Sequence, residues 1–355
     1  MKQYRNILVH ALVNLGDVVL TTGAVALLKR AYPSARITML VRPAVREAVE
    51  NHPLIDDVML LDYKAKQNSF CHMLKMVREI RRRKFDLAVS FDRKLRPALL
   101  LFLAGVPVRV GPSRVFDAKP SRVTWLYTHT IQIEHDLDKT LQAETYQAIV
   151  RGFTGLDGHE NPVFATIQPI HEQKAASLLE RLPRAEKRIA LCVKGTFPLK
   201  TWPKEYFAAA VQALAQRYDA AFFVIGAPGD RAYADEVIAA IKKPVANFCG
   251  ETGLCDLAAL LRRADLFLTV DTGATHIAAT TGVPMVTVYG CTSPDRWHPI
   301  SANANVLTSR ETCCPCACRA EECPSNPHPC CLWNITPDMA LESCEALLAR
   351  RADKK

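Results

Sequence analysis

Short apolar runs rich in β-branched residues alternate with longer segments whose apolar positions recur every three or four residues, and the alternation persists through most of the chain. In the first half, the runs at 6–11, 36–41, 58–61 and 85–91 predict strands. The periodic segments at 21–32, 43–51, 69–83 and 97–104 predict helices, the first stopped at Pro33. The second half repeats the theme, with strands predicted at 188–193, 220–225, 246–248, 266–270 and 285–289. Its helices are predicted at 203–217, 230–242, 254–263 and 274–281. Strand–helix alternation of this kind requires right-handed crossovers between parallel strands, so the fold class is α/β, built from two Rossmann-like, doubly wound domains. The chain has 355 residues, more than one compact core accommodates. A polar stretch at 157–187 predicts the linker, giving an N-terminal domain over 1–165, a C-terminal domain over 185–310 and a tail over 311–355. Two such sheets in one chain are expected to face a cleft, with ligands at the carboxyl ends of the strands.

Composition narrows the partners. Lys and Arg outnumber Asp and Glu by 45 to 36, a formal charge of +9 that favours anionic ligands. No helix concentrates those charges into a stripe and no nucleic-acid-binding motif appears, so nucleic acid is not an expected partner. No apolar stretch reaches the ~18–20 residues of a membrane span. The basic start, Met1 to Arg5, precedes an apolar run broken by His10, Asn14 and Asp17, which does not read as a secretory signal; the expected location is cytoplasmic.

Three segments carry chemistry. Asn14-Leu15-Gly16-Asp17 follows the first strand, where glycine permits a tight turn and Asp17 stands at a helix start. A carboxylate there can take a proton from an alcohol, as a general base does; it can equally be a helix cap. The loop from Lys194-Gly195-Thr196 to Lys200-Thr201-Trp202-Pro203 offers a cation, hydroxyls and backbone N–H groups suited to a diphosphate, or is an exposed basic loop around a structural tryptophan. Asp271-Thr272-Gly273-Ala274-Thr275-His276 joins a strand to a helix N-terminus, a natural seat for phosphate oxygens, with Asp271 orienting the turn and His276 one turn into the helix.

In order and spacing these segments resemble the bacterial lipopolysaccharide heptosyltransferases, glycosyltransferase family 9. The resemblance rests on Leu15-Gly16-Asp17-Val18-Val19-Leu20-Thr21-Thr22, Leu28-Lys29-Arg30-Ala31-Tyr32-Pro33, Asn51-His52-Pro53-Leu54-Ile55-Asp56-Asp57, the Lys200-Thr201-Trp202-Pro203 loop, Gly250-Glu251-Thr252, the 271–279 segment and Gly282-Val283-Pro284. It spans about residues 5–300. It implies a GT-B fold with an acceptor-binding first domain and a nucleotide-sugar-binding second one. It also implies inverting transfer of heptose from ADP-heptose to the lipopolysaccharide inner core, by a protein that is cytoplasmic or peripheral at the cytoplasmic face of the inner membrane. By the same resemblance Asp17 is the general base, and Thr196, Lys200, Thr272, Gly273 and His276 hold the donor diphosphate. Asp230 falls near the ribose. The acceptor contacts stay open among Arg42, Arg46, Arg93, Lys94, Arg96, Arg109 and Arg114, each of which is as readily a solvated surface charge.

A lysine and a helix N-terminus can stabilise a leaving diphosphate, so no metal cofactor is required. The Asp136-Leu137-Asp138 triplet reads as the start of a helix and not as a metal motif. Of the thirteen cysteines, Cys71, Cys192, Cys249, Cys255 and Cys291 sit among apolar neighbours and read as core. The other eight lie in 313–344; the cluster from Cys313 to Cys331, with His328 among them, could hold a metal, form disulfides, or be a cysteine-rich loop without either. The last helix, 337–350, is expected to pack back toward the first domain. The rival functions are transfer of another nucleotide sugar or to another glycan, sugar-nucleotide epimerisation, and a sugar-nucleotide-binding protein without transferase activity.

Overall fold

The computed structural model describes residues 3–62, 70–116, 119–309, 311, 313, 314, 316, 323 and 328–352. The chain divides into two compact units, Met1–Thr166 and Ile167–Lys355.

In the first unit the elements run β1 (Asn6–His10), α1 (Leu15–Ala31), β2 (Arg36–Val41), β3 (Asp57–Leu60), α2 (Phe70–Arg83), β4 (Leu87–Ser90), α3 (Leu95–Leu103), β5 (Val108–Pro112), β6 (His129–Ile131) and α4 (Gln142–Thr154). Short 3-10 turns lie at Pro43–Ala48 and Thr124–Leu126. The strands form one parallel sheet in the order β3-β2-β1-β4-β5-β6, with His10 of β1 level with Leu40 of β2 and Ser90 of β4. Ile7, Leu8 and Val9 are completely buried, as expected of central strands covered on both faces.

The second unit runs α5 (Pro169–Leu179), β7 (Lys187–Cys192), α6 (Lys204–Arg217), β8 (Ala220–Val224), α7 (Arg231–Ile241), β9 (Val245–Asn247), α8 (Leu254–Arg262), β10 (Leu266–Val270), α9 (Gly273–Thr281), β11 (Met285–Val288), α10 (Pro294–Trp297), β12 (Ala304–Leu307), α11 (Cys330–Trp333) and α12 (Pro337–Ala352). Its sheet order, β12-β11-β10-β7-β8-β9, repeats that of the first unit. In each sheet the winding direction reverses once, between β1 and β4 and between β7 and β10. Ligands of doubly wound sheets bind outside the strand ends at such a reversal.

Several expectations need correction. The first helix starts at Leu15, six residues before the predicted start, so Asp17 lies inside its first turn and the cap position belongs to Asn14. The 43–51 helix is a 3-10 turn. Asp136-Leu137-Asp138 forms a turn, in which the Asp138 N–H donates to Asp136 Oδ1 at 2.9 Å and Leu137 is buried; the helix begins later, at Gln142. The polar 157–187 stretch contains α5, which packs on α8 with His171 Nδ1 2.6 Å from Asp256 Oδ1. The last helix belongs to the core of the second unit: α12 packs against α6, burying Leu341, Cys344, Leu347 and Leu348. Cys344 is therefore a core residue and not part of a thiol cluster.

Candidate functional site

At the reversal of the first sheet, α1 presents Asp17 in its opening turn, where the unpaired N–H groups and the helix dipole favour a carboxylate. Asp17 is 8% exposed, and the Tyr146 hydroxyl of α4 donates to its Oδ1 at 2.8 Å. Tyr146 is itself fully buried, its ring 5.2 Å from that of Phe91 just beyond β4. This hydrogen bond ties the carboxylate on α1 to α4. Gly23 lets α4 and the segment after it come close to α1: a Cβ there would lie 2.6 Å from the Glu160 carbonyl oxygen and 3.1 Å from Gln147 Nε2 of α4. Asn14 makes no capping bond with its side chain; its Oδ1 accepts from Arg42 Nη1 at 3.3 Å.

His10, Ser90 and Asp92 are buried at or just beyond the ends of β1 and β4, where His10 is level with Ser90. Burial lowers the His10 pKa to about 4 against the opposing pull of Asp92, so its ring is neutral at ordinary pH. Of the basic candidates, Arg46 pairs with Glu50 at 2.5 Å. Arg109 donates to the carbonyls of Leu126 and Val106, and Arg114 to those of Ile133 and His135. Arg109 and Arg114 are thus tied to the backbone, while the Arg46–Glu50 pair is exposed.

In the second unit, the loops after β7, β8, β10 and β11 meet. Lys200 ends the 3-10 turn Pro198–Lys200, and its Nζ lies 2.5 Å from Asp271 Oδ2 at the end of β10. The Thr292 hydroxyl donates to the same oxygen at 2.6 Å. The Lys200 side chain is 17% exposed and that of Asp271 5%, so the pair is largely out of water. Glycines make the approach possible: a Cβ on Gly195 would sit 2.5 Å from the Lys200 carbonyl oxygen, and one on Gly290 2.5 Å from that of Leu199. The Trp202 indole, fully buried, donates to the Ile335 carbonyl at 2.9 Å and ties this loop to the start of α12. Asp230 pairs with Lys194 at 3.1 Å, while its other oxygen accepts the Ala227 N–H at 3.0 Å. Thr196 lies exposed on the Lys194–Lys200 loop.

Thr272 occupies the N-cap of α9 without making a side-chain capping bond, and Gly273 is the first helical residue. His276 is 4% exposed, with Nδ1 lacking any hydrogen-bond partner among the described residues. Burial lowers its pKa to about 4; Asp271 opposes the shift and Lys200 assists it. A neutral, buried imidazole with an unpaired nitrogen beside a helix N-terminus and a lysine is suited to a polar, anionic ligand.

The structure thus gathers Lys200, Asp271, Thr272, Gly273 and His276 around one strand end, places Thr196 and the Lys194–Asp230 pair on adjoining loops, and sets Asp17 in the first unit. Sequence reasoning missed Tyr146, which no local pattern marks, and Thr292, which its position just past β11 could have suggested. Among the described residues no three His, Cys, Asp or Glu side chains are arranged to hold a metal ion. Cys192, Cys249, Cys255 and Cys291 are buried, in keeping with core residues, and the Cys71 side chain lies outside the described residues. Burial pushes the Cys291 thiol up to about 12 and that of Cys331 to about 11, which keeps both protonated.

Comparison with known proteins gives the family and the fold. The lipooligosaccharide heptosyltransferase 2 of Haemophilus influenzae is 25% identical, over 97% of this chain and 100% of that one. The E. coli structure described as ADP-heptose lps heptosyltransferase II superposes with a TM-score of 0.79 at 22% identity, covering 98% of this chain and 99% of that chain. A family 9 glycosyl transferase from Veillonella parvula gives a TM-score of 0.84 at 22% identity, covering 99% of each chain. The family model for glycosyltransferase family 9 (heptosyltransferase) matches residues 73–327, well over half the sequence. The chain belongs to glycosyltransferase family 9, the heptosyltransferases.

Proposed function

We propose that the protein transfers heptose from ADP-heptose to the inner core of lipopolysaccharide, with inversion and without a metal ion, at the cytoplasmic face of the inner membrane. The donor and acceptor follow the descriptions of its relatives. The observation that carries the reading is the convergence, at the reversal of the second sheet, of the Lys200–Asp271 pair, the α9 N-terminus and the unpaired His276 nitrogen. An ADP diphosphate there would draw Lys200 toward its oxygens and receive the first N–H groups of α9.

In the reaction, Asp17 removes the proton from an acceptor hydroxyl as its oxygen attacks the anomeric carbon. The bond from that carbon to the diphosphate oxygen breaks on the opposite face. The negative charge gathers on departing ADP, where the lysine and the helix N-terminus stabilise it. Tyr146 holds the base in orientation through its hydrogen bond. Cys318 and most of the residues between Cys314 and His328 lie outside the described residues; Cys331 and Cys344 pack in the core of the second unit.

The test is transfer from ADP-heptose to a deacylated inner-core acceptor in EDTA, comparing the wild type with Asp17→Ala. Turnover by the wild type alone, with ADP raising the melting temperature of both proteins, is expected. Turnover by Asp17→Ala would remove the base assignment. ADP binding without any wild-type transfer would point to another sugar or another acceptor glycan.

A further inference from the structure

Seven large hydrophobic side chains are exposed among the described residues, and four of them, Leu95, Phe102, Leu103 and Trp125, lie on α3 and the 3-10 turn Thr124–Leu126. Trp125 is 70% exposed, the most of any. The Phe102 and Trp125 rings stand 6.4 Å apart, and α3 packs on the turn, so these side chains form one patch. The sequence of α3, Leu-Arg-Pro-Ala-Leu-Leu-Leu-Phe-Leu, is apolar on almost every side. Its inner face (Pro97, Ala98, Leu100 and Leu101) is buried; among the described residues its outer face leaves Leu95, Phe102 and Leu103 exposed to water. A helix that is apolar all round is normally covered on all sides.

The surroundings say by what. Residues 93–130 contain Arg93, Lys94, Arg96, Arg109, Arg114, Lys119 and Arg122 against a single acidic residue, Asp117. Lys94, Arg96, Lys119 and Arg122 are exposed. Arg109 stacks over Phe102 at 5.4 Å, and Arg81 of the neighbouring α2 reaches the Leu103 carbonyl at 2.7 Å. Aromatic and aliphatic side chains rimmed by arginine and lysine match an anionic lipid–water interface, where the rings enter the headgroup layer and the cations meet phosphates.

We infer that the outer face of α3 with the Trp125 turn docks the protein on an anionic bilayer. This rests on the reading above that the acceptor is a membrane lipid, and it names the surface that reaches it.

The test uses the full chain and sedimentation with vesicles of phosphatidylglycerol and phosphatidylethanolamine, against vesicles of phosphatidylcholine alone. The wild type sediments with the anionic vesicles only, and binding falls as salt rises. Phe102→Ser with Trp125→Ser weakens binding at least about tenfold, and so does Lys119→Glu with Arg122→Glu. Both variants keep the wild-type melting temperature shift with ADP and the wild-type rate on the deacylated, water-soluble acceptor. Failure of the wild type to bind anionic vesicles, or undiminished binding by the serine variant, overturns the inference. So does a wild-type dimer, dissolved by the serine substitutions, in a protein that ignores vesicles; the face would then belong to a second copy. If vesicle binding follows the expectation while wild-type transfer is absent, the docking surface stands and the proposed reaction falls.

Discussion

Lys200 has two tasks in this reading, and a double-variant cycle separates them. Lys200→Met removes the ammonium and leaves Asp271, 5% exposed, without its cation. Stranding one partner of a buried pair costs about 3–5 kcal/mol. Thr292 still donates to the same carboxylate oxygen, and the lysine is partly open to solvent, so a cost near about 3 kcal/mol is expected. Adding Asp271→Asn removes the stranded charge and should recover about 2 kcal/mol, because an amide is far cheaper to bury than an unpaired carboxylate. Urea unfolding followed by circular dichroism measures the stability, and calorimetry the affinity for ADP. Affinity should fall at least about tenfold in the single variant and stay low in the double, since neither has a cation for the diphosphate. A coupling below about 0.5 kcal/mol would refute the account of the ion pair. Recovery of ADP affinity in the double variant would show that Lys200 acts only through Asp271.

Other outcomes follow from the same geometry. Tyr146→Phe removes a hydrogen bond to a carboxylate worth about 1.5–3 kcal/mol and should lower kcat while leaving ADP affinity unchanged; an unchanged kcat would detach Tyr146 from the base. Gly195→Ala puts a Cβ 2.5 Å from the Lys200 carbonyl oxygen, so it should cost about 1–3 kcal/mol and weaken ADP binding, which a native melting temperature would contradict. His10, His52 and His276 each have pKa values lowered by burial from 6.5 to about 4. Unfolded, they take up protons below about pH 6.5; folded, they do not until about pH 4. Stability should therefore be complete above pH 6.5 and decline toward pH 4, by up to about 3 kcal/mol per histidine. A stability flat between pH 6.5 and 4.5 in urea titrations would contradict their buried, neutral state.

Local pattern in the sequence was enough to determine the two-fold α/β repeat, because central parallel strands such as Ile7-Leu8-Val9 and Leu266–Val270 are buried on both faces and are apolar almost throughout, Thr269 being the exception. It also marked the turns after β1, β7 and β10, where Asp17, Lys200 and Asp271 lie. It failed where burial is polar or where strands lie toward the sheet edge. Helix α4 buries Gln142, Thr145 and Gln147, so its periodicity does not read as apolar, and β5 (Val-Arg-Val-Gly-Pro) and β6 (His-Thr-Ile) are short and partly hydrophilic. The partnerships themselves were beyond any local reading. Tyr146 meets Asp17 across 129 positions of sequence, and Thr292 shares an oxygen of Asp271 with Lys200. A side chain's preference is written within a few neighbours, but a hydrogen bond between distant ones exists only once whole helices and strands have packed, and only that packing decided which charges stand paired and which nitrogen of His276 stands without a partner among the described residues.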